Sequence, residues 1–501
     1  MRSKRAFYTV VSNIILQLVI LANGFIVPKI VINNYGSDVN GLIASITQFL
    51  GYITLLDSGF TAVIKSQLYK PLADKSKENI SRIIKSSNKF FRTIAFVFIV
   101  YIVALSFLYP LLVDSSFDYL FTFGLVIILS ISMLSEYYFG MTYKILLQAD
   151  QKSYIVSLIQ IIVYIISIAA IVILSKMNVS VTVLKLVTSV IFVIRPLLQN
   201  FYVRKHYRID INIDGNYKIK NRWDGLAQHI ASVIHSNTDI VVLTIFTNLK
   251  EVSVYSVYYL VVKGIKSIMQ AFTNGFDATF GDMIVRNERE GLNRRFSAYE
   301  TLYNTISVIA FSAAIVLITP FISVYTSGVE DADYCRPLFG VLIVISEYIW
   351  VIRQPYNVLT KAAGHFKETR KGAWIECITN IVVSIILVRQ FGIIGVAIGT
   401  IIAMLIRAIE FMYHSNKYIL CRSCRESFIR VLVVVLETAA IVFVCNYLPF
   451  LEGINYTNWM LNAGMVLVVA ISITMVVNFF VFRRDFKELL SFMSKIKKKK
   501  S

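Results

Sequence analysis

From Tyr154 to Ser175 the chain reads YIVSLIQIIVYIISIAAIVILS, without one charged residue. Wound as α-helix at about 1.5 Å per residue, that stretch reaches about 30 Å, the thickness of a bilayer's hydrocarbon core. A barrel strand would instead alternate apolar and polar residues over about ten positions, and the stretch does not alternate. Runs of this kind recur from one end of the chain to the other. They define the fold class: an all-α polytopic membrane protein. Composition agrees, since 56% of the 501 residues are apolar and only 16% charged, with a mean hydropathy of +0.66. A single soluble core could not cover so much apolar surface, so the surplus faces lipid.

Fourteen transmembrane helices are expected, at about 7–32, 41–64, 92–113, 119–140, 154–175, 179–203, 227–247, 253–280, 300–325, 335–356, 371–389, 392–413, 428–449 and 458–482. The net charge of +20 would suit a nucleic-acid binder, but it falls in short segments between the apolar runs, as the positive-inside bias requires. Lys65 to Arg92 holds eight Lys or Arg and Arg204 to Arg222 six. Arg286–Arg295, Lys361–Lys371, Lys417–Arg430 and the terminal Lys495, Lys497, Lys498, Lys499 and Lys500 are also basic. All lie on one side; the opposite loops carry Asp114, Asp118, Glu330, Asp331, Asp333 and Glu452. Both termini are therefore expected in the cytoplasm, with the protein in the cytoplasmic membrane. Arg2, Lys4 and Arg5 lead into an apolar stretch too long for a signal peptide and without a small-residue cleavage site, so it reads as a retained first helix.

A repeat at an offset of about 213 residues is visible. Asn34–Leu42 resembles Asn248–Tyr255, each preceding a segment that ends in Gly-Phe, at Gly59-Phe60 and Gly275-Phe276. Leu147–Lys152 likewise resembles Thr360–His365. The expected organisation is an N-lobe of helices 1–6 (1–210), a C-lobe of helices 7–12 (222–420), two further helices (425–483) and a basic cytoplasmic tail (484–501). Lobes of six helices run parallel, and such repeats are expected to meet around a midplane binding site.

Charged groups within a span cost about 3 kcal/mol each, so they mark interfaces or water-filled cavities. The most informative set is Tyr255, Tyr259, Lys263, Lys266, Gln270, Asn274 and Asp277, whose steps of three and four fall on one face of helix 8. That face lines a cavity or a tight polar interface. Thr54, Asp57, Thr61 and Lys65 form a shorter stripe on helix 2, and Gln228, Ser232, His235 and Asp239 another on helix 7. Arg195, Glu347 and Arg353 lie within or at the ends of other spans; Arg195, before Pro196, reads equally as a snorkelling anchor. Asp57 and Asp239, together with Asp277 and Glu347, are candidates for ion coupling, or else for structural ion pairs with lysines such as Lys65 and Lys263. Glu136 and Glu437 are single carboxyls open to a neutral, hydrogen-bonded state, the reading favoured for Glu437, whose helix lies outside the lobes.

Other features are discounted. The five cysteines are odd in number and scattered, and Cys421-x-x-Cys424 has no second ligand pair, so neither a disulfide framework nor a zinc site is expected. Gly392, Gly395 and Gly399 follow no strand and are read as helix-packing glycines. No nucleophile triad, nucleotide loop or cofactor motif is present, and no enzyme is expected.

The layout resembles the multidrug/oligosaccharidyl-lipid/polysaccharide exporter superfamily, and within it the Wzx-like polysaccharide flippases. Tyr35-Gly36 through Gly41-Leu42 to Leu55-Leu56-Asp57-Ser58-Gly59-Phe60, and Asn237-Thr238-Asp239-Ile240-Val241-Val242-Leu243 to Val254-Tyr255-Ser256, carry the resemblance. It implies two lobes in alternating access, moving undecaprenyl-diphosphate-linked oligosaccharide repeat units between leaflets, alongside a polysaccharide polymerase and other assembly proteins. Lys263 and Lys266 would then hold the diphosphate, with Arg353 and Arg195 as weaker candidates, and Tyr255 and Tyr259 would pack on sugar rings. A lipid II-type flippase, a cation-coupled multidrug exporter and a polysaccharide polymerase are the competing readings. The paired lysines argue against the drug exporter, and the short outer loops against the polymerase.

Overall fold

A computed structural model describes residues 2–57, 60–113, 117–207, 209–210, 226–273, 276–486 and 488. Among them every regular element is helical, and eleven helical segments are long and apolar enough to cross a membrane. The three expected spans missing from that set are those at 41–64, 227–247 and 253–280. Of these, 41–64 is broken after Gly51, and 227–247 is described as an apolar helix over Asn237–Phe246.

The chain divides into two compact units, Met1–Ser253 and Val254–Ser501. The first contains α1 (Arg2–Tyr35), α2 (Ser37–Gly51), α3 (Phe60–Ala73), α4 (Lys77–Leu112), α5 (Tyr119–Ser135), α6 (Met141–Ala149), α7 (Ser153–Lys176), α8 (Val181–Tyr207), α9 (Leu226–Phe246) and the start of α10 (Leu249–Thr273). Packing centres on α2 and α4, where Leu42, Ile46, Ile83, Phe98 and Tyr109 are fully buried. Small polar groups fasten the core: the Tyr109 and Thr244 hydroxyls each donate to Ser45 Oγ at 2.7 Å, and Asn40 donates to Ser253 Oγ at 2.8 Å. Gly41 faces the Leu249 carbonyl so closely that a Cβ would collide with it. In contrast, Phe96 and Leu111 are 67% and 74% exposed, an apolar surface that only lipid can cover.

Two departures from the sequence expectation occur here. The span expected at 41–64 is broken: a short 3₁₀ turn, Tyr52–Leu55, follows α2 and leads into a turn at Asp57 before α3 begins. The stripe Thr54, Asp57, Thr61 and Lys65 therefore does not ride on one continuous helix. The basic segment 65–92 is largely helix rather than loop, because α4 starts at Lys77 behind a Ser76 cap. Lys, Arg and Ile keep the helix going where the hydrocarbon ends.

The second unit holds the rest of α10, α11 (Phe276–Val285), α12 (Arg289–Tyr325), α13 (Pro337–Ile352), α14 (Gln354–Ala362), α15 (Arg370–Phe391), α16 (Ile393–His414), α17 (Cys424–Cys445) and α18 (Tyr456–Val481). The helix α12 is its axis, packed against α13, α17 and α18. Between α15 and α16 the chain turns at Gly392, whose φ of +55° suits a residue without Cβ. A Cβ at Gly395 or Gly399 would strike Leu387 or Ser384, so these glycines do serve close helix packing, as read from the sequence. The span expected at 335–356 is found at Pro337–Ala362, interrupted at Arg353, where Pro355 removes a backbone donor and α14 sets off anew.

Candidate functional site

The polar face of α10 is assembled by its own periodicity. Val254, Tyr258, Val262 and Met269 turn into the second unit and are at most 1% exposed. Tyr258 fixes the register, donating from its hydroxyl to the Tyr334 carbonyl at 2.9 Å and accepting from the Arg336 amide at 3.0 Å. One position further along at each turn come Tyr255, Tyr259, Lys263, Lys266 and Gln270, about 100° around the helix from the buried row.

Along this face exposure rises. Tyr255 is buried, tilted against Phe339 at 5.7 Å between ring centroids and stacked on Tyr259 at 5.9 Å. Lys263, near the middle of the helix, is exposed, and its ammonium has no ion-pair partner among the described residues. Lys266, one turn on, is half-buried, with Nζ 2.6 Å from Glu347 Oε2 and 4.1 Å from the centre of the Trp350 ring. Glu347 and Trp350 lie one turn apart on α13, so a single helix face supplies both the counter-charge and the aromatic face. Gln270 is exposed. Asn274 lies outside the described residues, and Asp277 is in α11 with its side chain outside them. The expected stripe is thus one continuous face from Tyr255 to Gln270.

Arg353 and Arg195 belong to other clusters. At the break between α13 and α14, Arg353 Nη1 donates to Glu376 Oε1 at 2.6 Å. The other Glu376 oxygen is 3.5 Å from Arg407, which also pairs with Glu410 at 2.5 Å and donates to the Thr369 carbonyl. No described contact joins Arg353 to Lys263 or Lys266.

In the first unit, Arg195 Nη2 is 2.9 Å from Glu136 Oε2, and Lys144 Nζ is 3.3 Å from Glu136 Oε1. Glu136 opens a π-helical turn, Glu136–Gly140, between α5 and α6. Such turns recur at functional sites. Gly140 allows that turn to lie against α8, since a Cβ there would be 2.7 Å from the Pro196 Cβ. Glu136 is therefore no lone carboxyl, contrary to the sequence reading; its two cations come from residues 8 and 59 positions away. Arg195 is held by that pairing and is only 18% exposed, so it is not a free interfacial anchor.

The remaining carboxyls are placed as follows. Asp57 accepts a hydrogen bond from Tyr137 in the same π-turn at 3.0 Å. Asp239 is half-buried on α9; the side chains of its expected stripe partners Gln228, Ser232 and His235 are outside the described ones. Glu437 is buried on α17, and its Oε1 has no hydrogen-bond partner among the described residues. No group of three metal-ligating side chains occurs among the described residues.

Sequence reasoning missed Lys144, Trp350, Glu376 and a further buried set at the start of α12. There Glu300 meets Arg422 at 3.0 Å, Arg430 at 3.4 Å and the Tyr356 hydroxyl, and Arg430 continues to Asp485 at 2.7 Å. The only signal available was the presence of acids at the ends of apolar runs facing arginine-rich segments.

Among the described residues the chain is all-helical, with a charged face on one of its helices. Comparison with solved structures makes that specific: the fold is the one shared by transporters of the multidrug/oligosaccharidyl-lipid/polysaccharide exporter superfamily. The lipid II flippase MurJ in an inward closed conformation superposes with a TM-score of 0.70 at 16% identity, covering 95% of this chain and 98% of MurJ. An inward-facing multidrug resistance MATE family transporter gives 0.61 at 13% identity, covering 80% and 95%. A superfamily transporter from Pyrococcus furiosus, described as having a binding pocket of reverse polarity, gives 0.54 at 13% identity, covering 84% and 96%. No protein-family model and no curated protein matches the sequence.

Proposed function

We propose that this chain is a flippase that carries undecaprenyl-diphosphate-linked oligosaccharide repeat units from the inner to the outer leaflet of the cytoplasmic membrane, by alternating access, for cell-surface polysaccharide synthesis. The observation that carries this reading is Lys263: an exposed ammonium in the middle of a helix expected to cross the membrane, with no counter-ion among the described residues. A charge left uncompensated in such a place is costly unless water or an anion meets it. A diphosphate supplies that anion, and the stacked pair Tyr255 and Tyr259 offers a flat apolar surface to a sugar ring. The polyprenyl chain stays in lipid, so only the head group needs a polar path. Gln270 extends the face with a neutral hydrogen-bonding group, and Arg353 contributes in states where its carboxylate lets go.

Coupling to an ion through Asp57, Asp239, Asp277 or Glu347 is part of the same proposal, as are a cytoplasmic location of both termini and assembly with a polymerase. A lipid II-type substrate is the second reading, favoured by the near-complete superposition on MurJ. A cationic drug is disfavoured, because a lysine with no counter-ion among the described residues repels it.

The test is translocation in vesicles holding the reconstituted protein, with outer-leaflet sugar scored by an impermeant lectin. Wild type should expose an undecaprenyl-diphosphate oligosaccharide, and Lys263→Ala should slow exposure by about tenfold or more, the loss expected for one charge-assisted contact. Exposure of lipid II alone would select the second reading. Efflux of an organic cation with no lipid movement would end both.

A further inference from the structure

The pairing of Lys266 with Glu347 is not explained by head-group binding, since it occupies one of the two lysines assigned to that task. We infer that Glu347 is a built-in competitor for Lys266: the anionic head group binds by displacing this carboxylate, so that each binding event exchanges one anion for another. The inference rests on the head-group reading above and deepens it.

Three features carry it. The Glu347 side chain is only 6% exposed and is carried on α13, one turn from Trp350, so a displaced carboxylate has little water to turn to. It must remain beside the lysine as a rival. Lys266 is a compact charge on a flexible stem, with Nζ 4.1 Å from the centre of the Trp350 ring, so it can turn from carboxylate to phosphate by swinging off that ring. Lys263 has no such partner among the described residues, so the two lysines act differently. Lys263 captures the anion, and Lys266 joins when the anion carries enough charge to outbid a carboxylate.

Two consequences follow for substrate choice and release. A diphosphate, with about two negative charges, displaces Glu347, whereas a singly charged or neutral head group does not. Once the head group leaves, Glu347 closes on Lys266 again, which keeps a pair of lysines from trapping a multivalent anion.

The experiment measures undecaprenyl diphosphate binding to the full-length protein in lipid nanodiscs. Glu347→Gln should bind about tenfold more tightly than wild type, and Glu347→Asp, which keeps the charge, should stay within about twofold of it. Adding Lys266→Met to Glu347→Gln should erase the gain. Because Glu347→Gln leaves Lys266 without a carboxylate and can unfold the bundle, a second measurement keeps the native pair. With Trp223, Trp374 and Trp459 replaced by Phe, Trp350 emission should shift on binding as the ammonium leaves its ring, and should not shift with Lys266→Met. Binding that needs Lys263 but is no tighter in Glu347→Gln, with Trp350 emission unmoved, overturns the competitor role and leaves the head-group reading standing. No binding in wild type or in any variant overturns the head-group reading itself.

Discussion

Glu136 and Glu347 are both buried carboxylates among membrane helices, and their surroundings differ in one respect. In the first unit each oxygen of Glu136 has its own cation, Arg195 on one and Lys144 on the other, and the set is closed. In the second, Glu347 meets one lysine while a second lysine, one turn away, has no carboxylate partner among the described residues. A closed set is what stability asks for, since an ion pair removed from water must be fully matched to break even. A surplus charge adds nothing to stability, so its retention points to a ligand. The comparison separates a structural cluster from a binding one more sharply than burial does, because both carboxylates are equally buried.

The largest expected effect lies in the closed cluster. Glu136→Gln leaves Arg195 and Lys144 facing each other without an anion, and should cost about 3–5 kcal/mol of stability, seen as a lower unfolding temperature in detergent. If stability hardly changes, the cluster is not structural and the contrast with Glu347 collapses. Next comes Gly140→Val, which drives a side chain into Pro196 and should cost about 1–3 kcal/mol by the same measurement, with Arg195 displaced from Glu136. The smallest stability effect is expected at the surplus charge: Lys263→Ala should leave the unfolding temperature within the range of a change of about 0.5 kcal/mol, although transport falls. A large loss of stability there would mean that Lys263 has a structural partner and would remove the main support for the flippase reading.

Much of this was legible in the sequence, for identifiable reasons. Apolar length and the absence of alternation specify membrane helices directly, since both are properties of consecutive residues. The face from Tyr255 to Gln270 was legible for the same reason, as helical period is local. What was not legible depends on residues far apart in the chain. Nothing near Glu136 announces that Arg195 will meet it, and nothing near Arg353 names Glu376. The break at Asp57 escaped because Leu55, Leu56 and Phe60 keep the segment apolar while the backbone leaves the α-helix there. The end of α13 at Arg353 was in principle visible from Pro355, which was outweighed by the apolar run before it.

One feature of the fold gives a way to watch the protein move. The helices α4 and α12 contain 36 and 37 residues, so each is about 55 Å long, roughly 25 Å more than the hydrocarbon it crosses. Their first turns, around Glu78 and Glu290, are exposed. Behind those exposed turns each helix packs on its own unit, as at Ile83 and Phe296, so the tip moves with that unit: a tilt of about 10° carries a point about 25 Å from the hydrocarbon through about 4 Å. A spin label or fluorophore on either tip would register a rocking motion too small to resolve among the packed side chains below, at positions that touch neither lipid nor the polar face of α10.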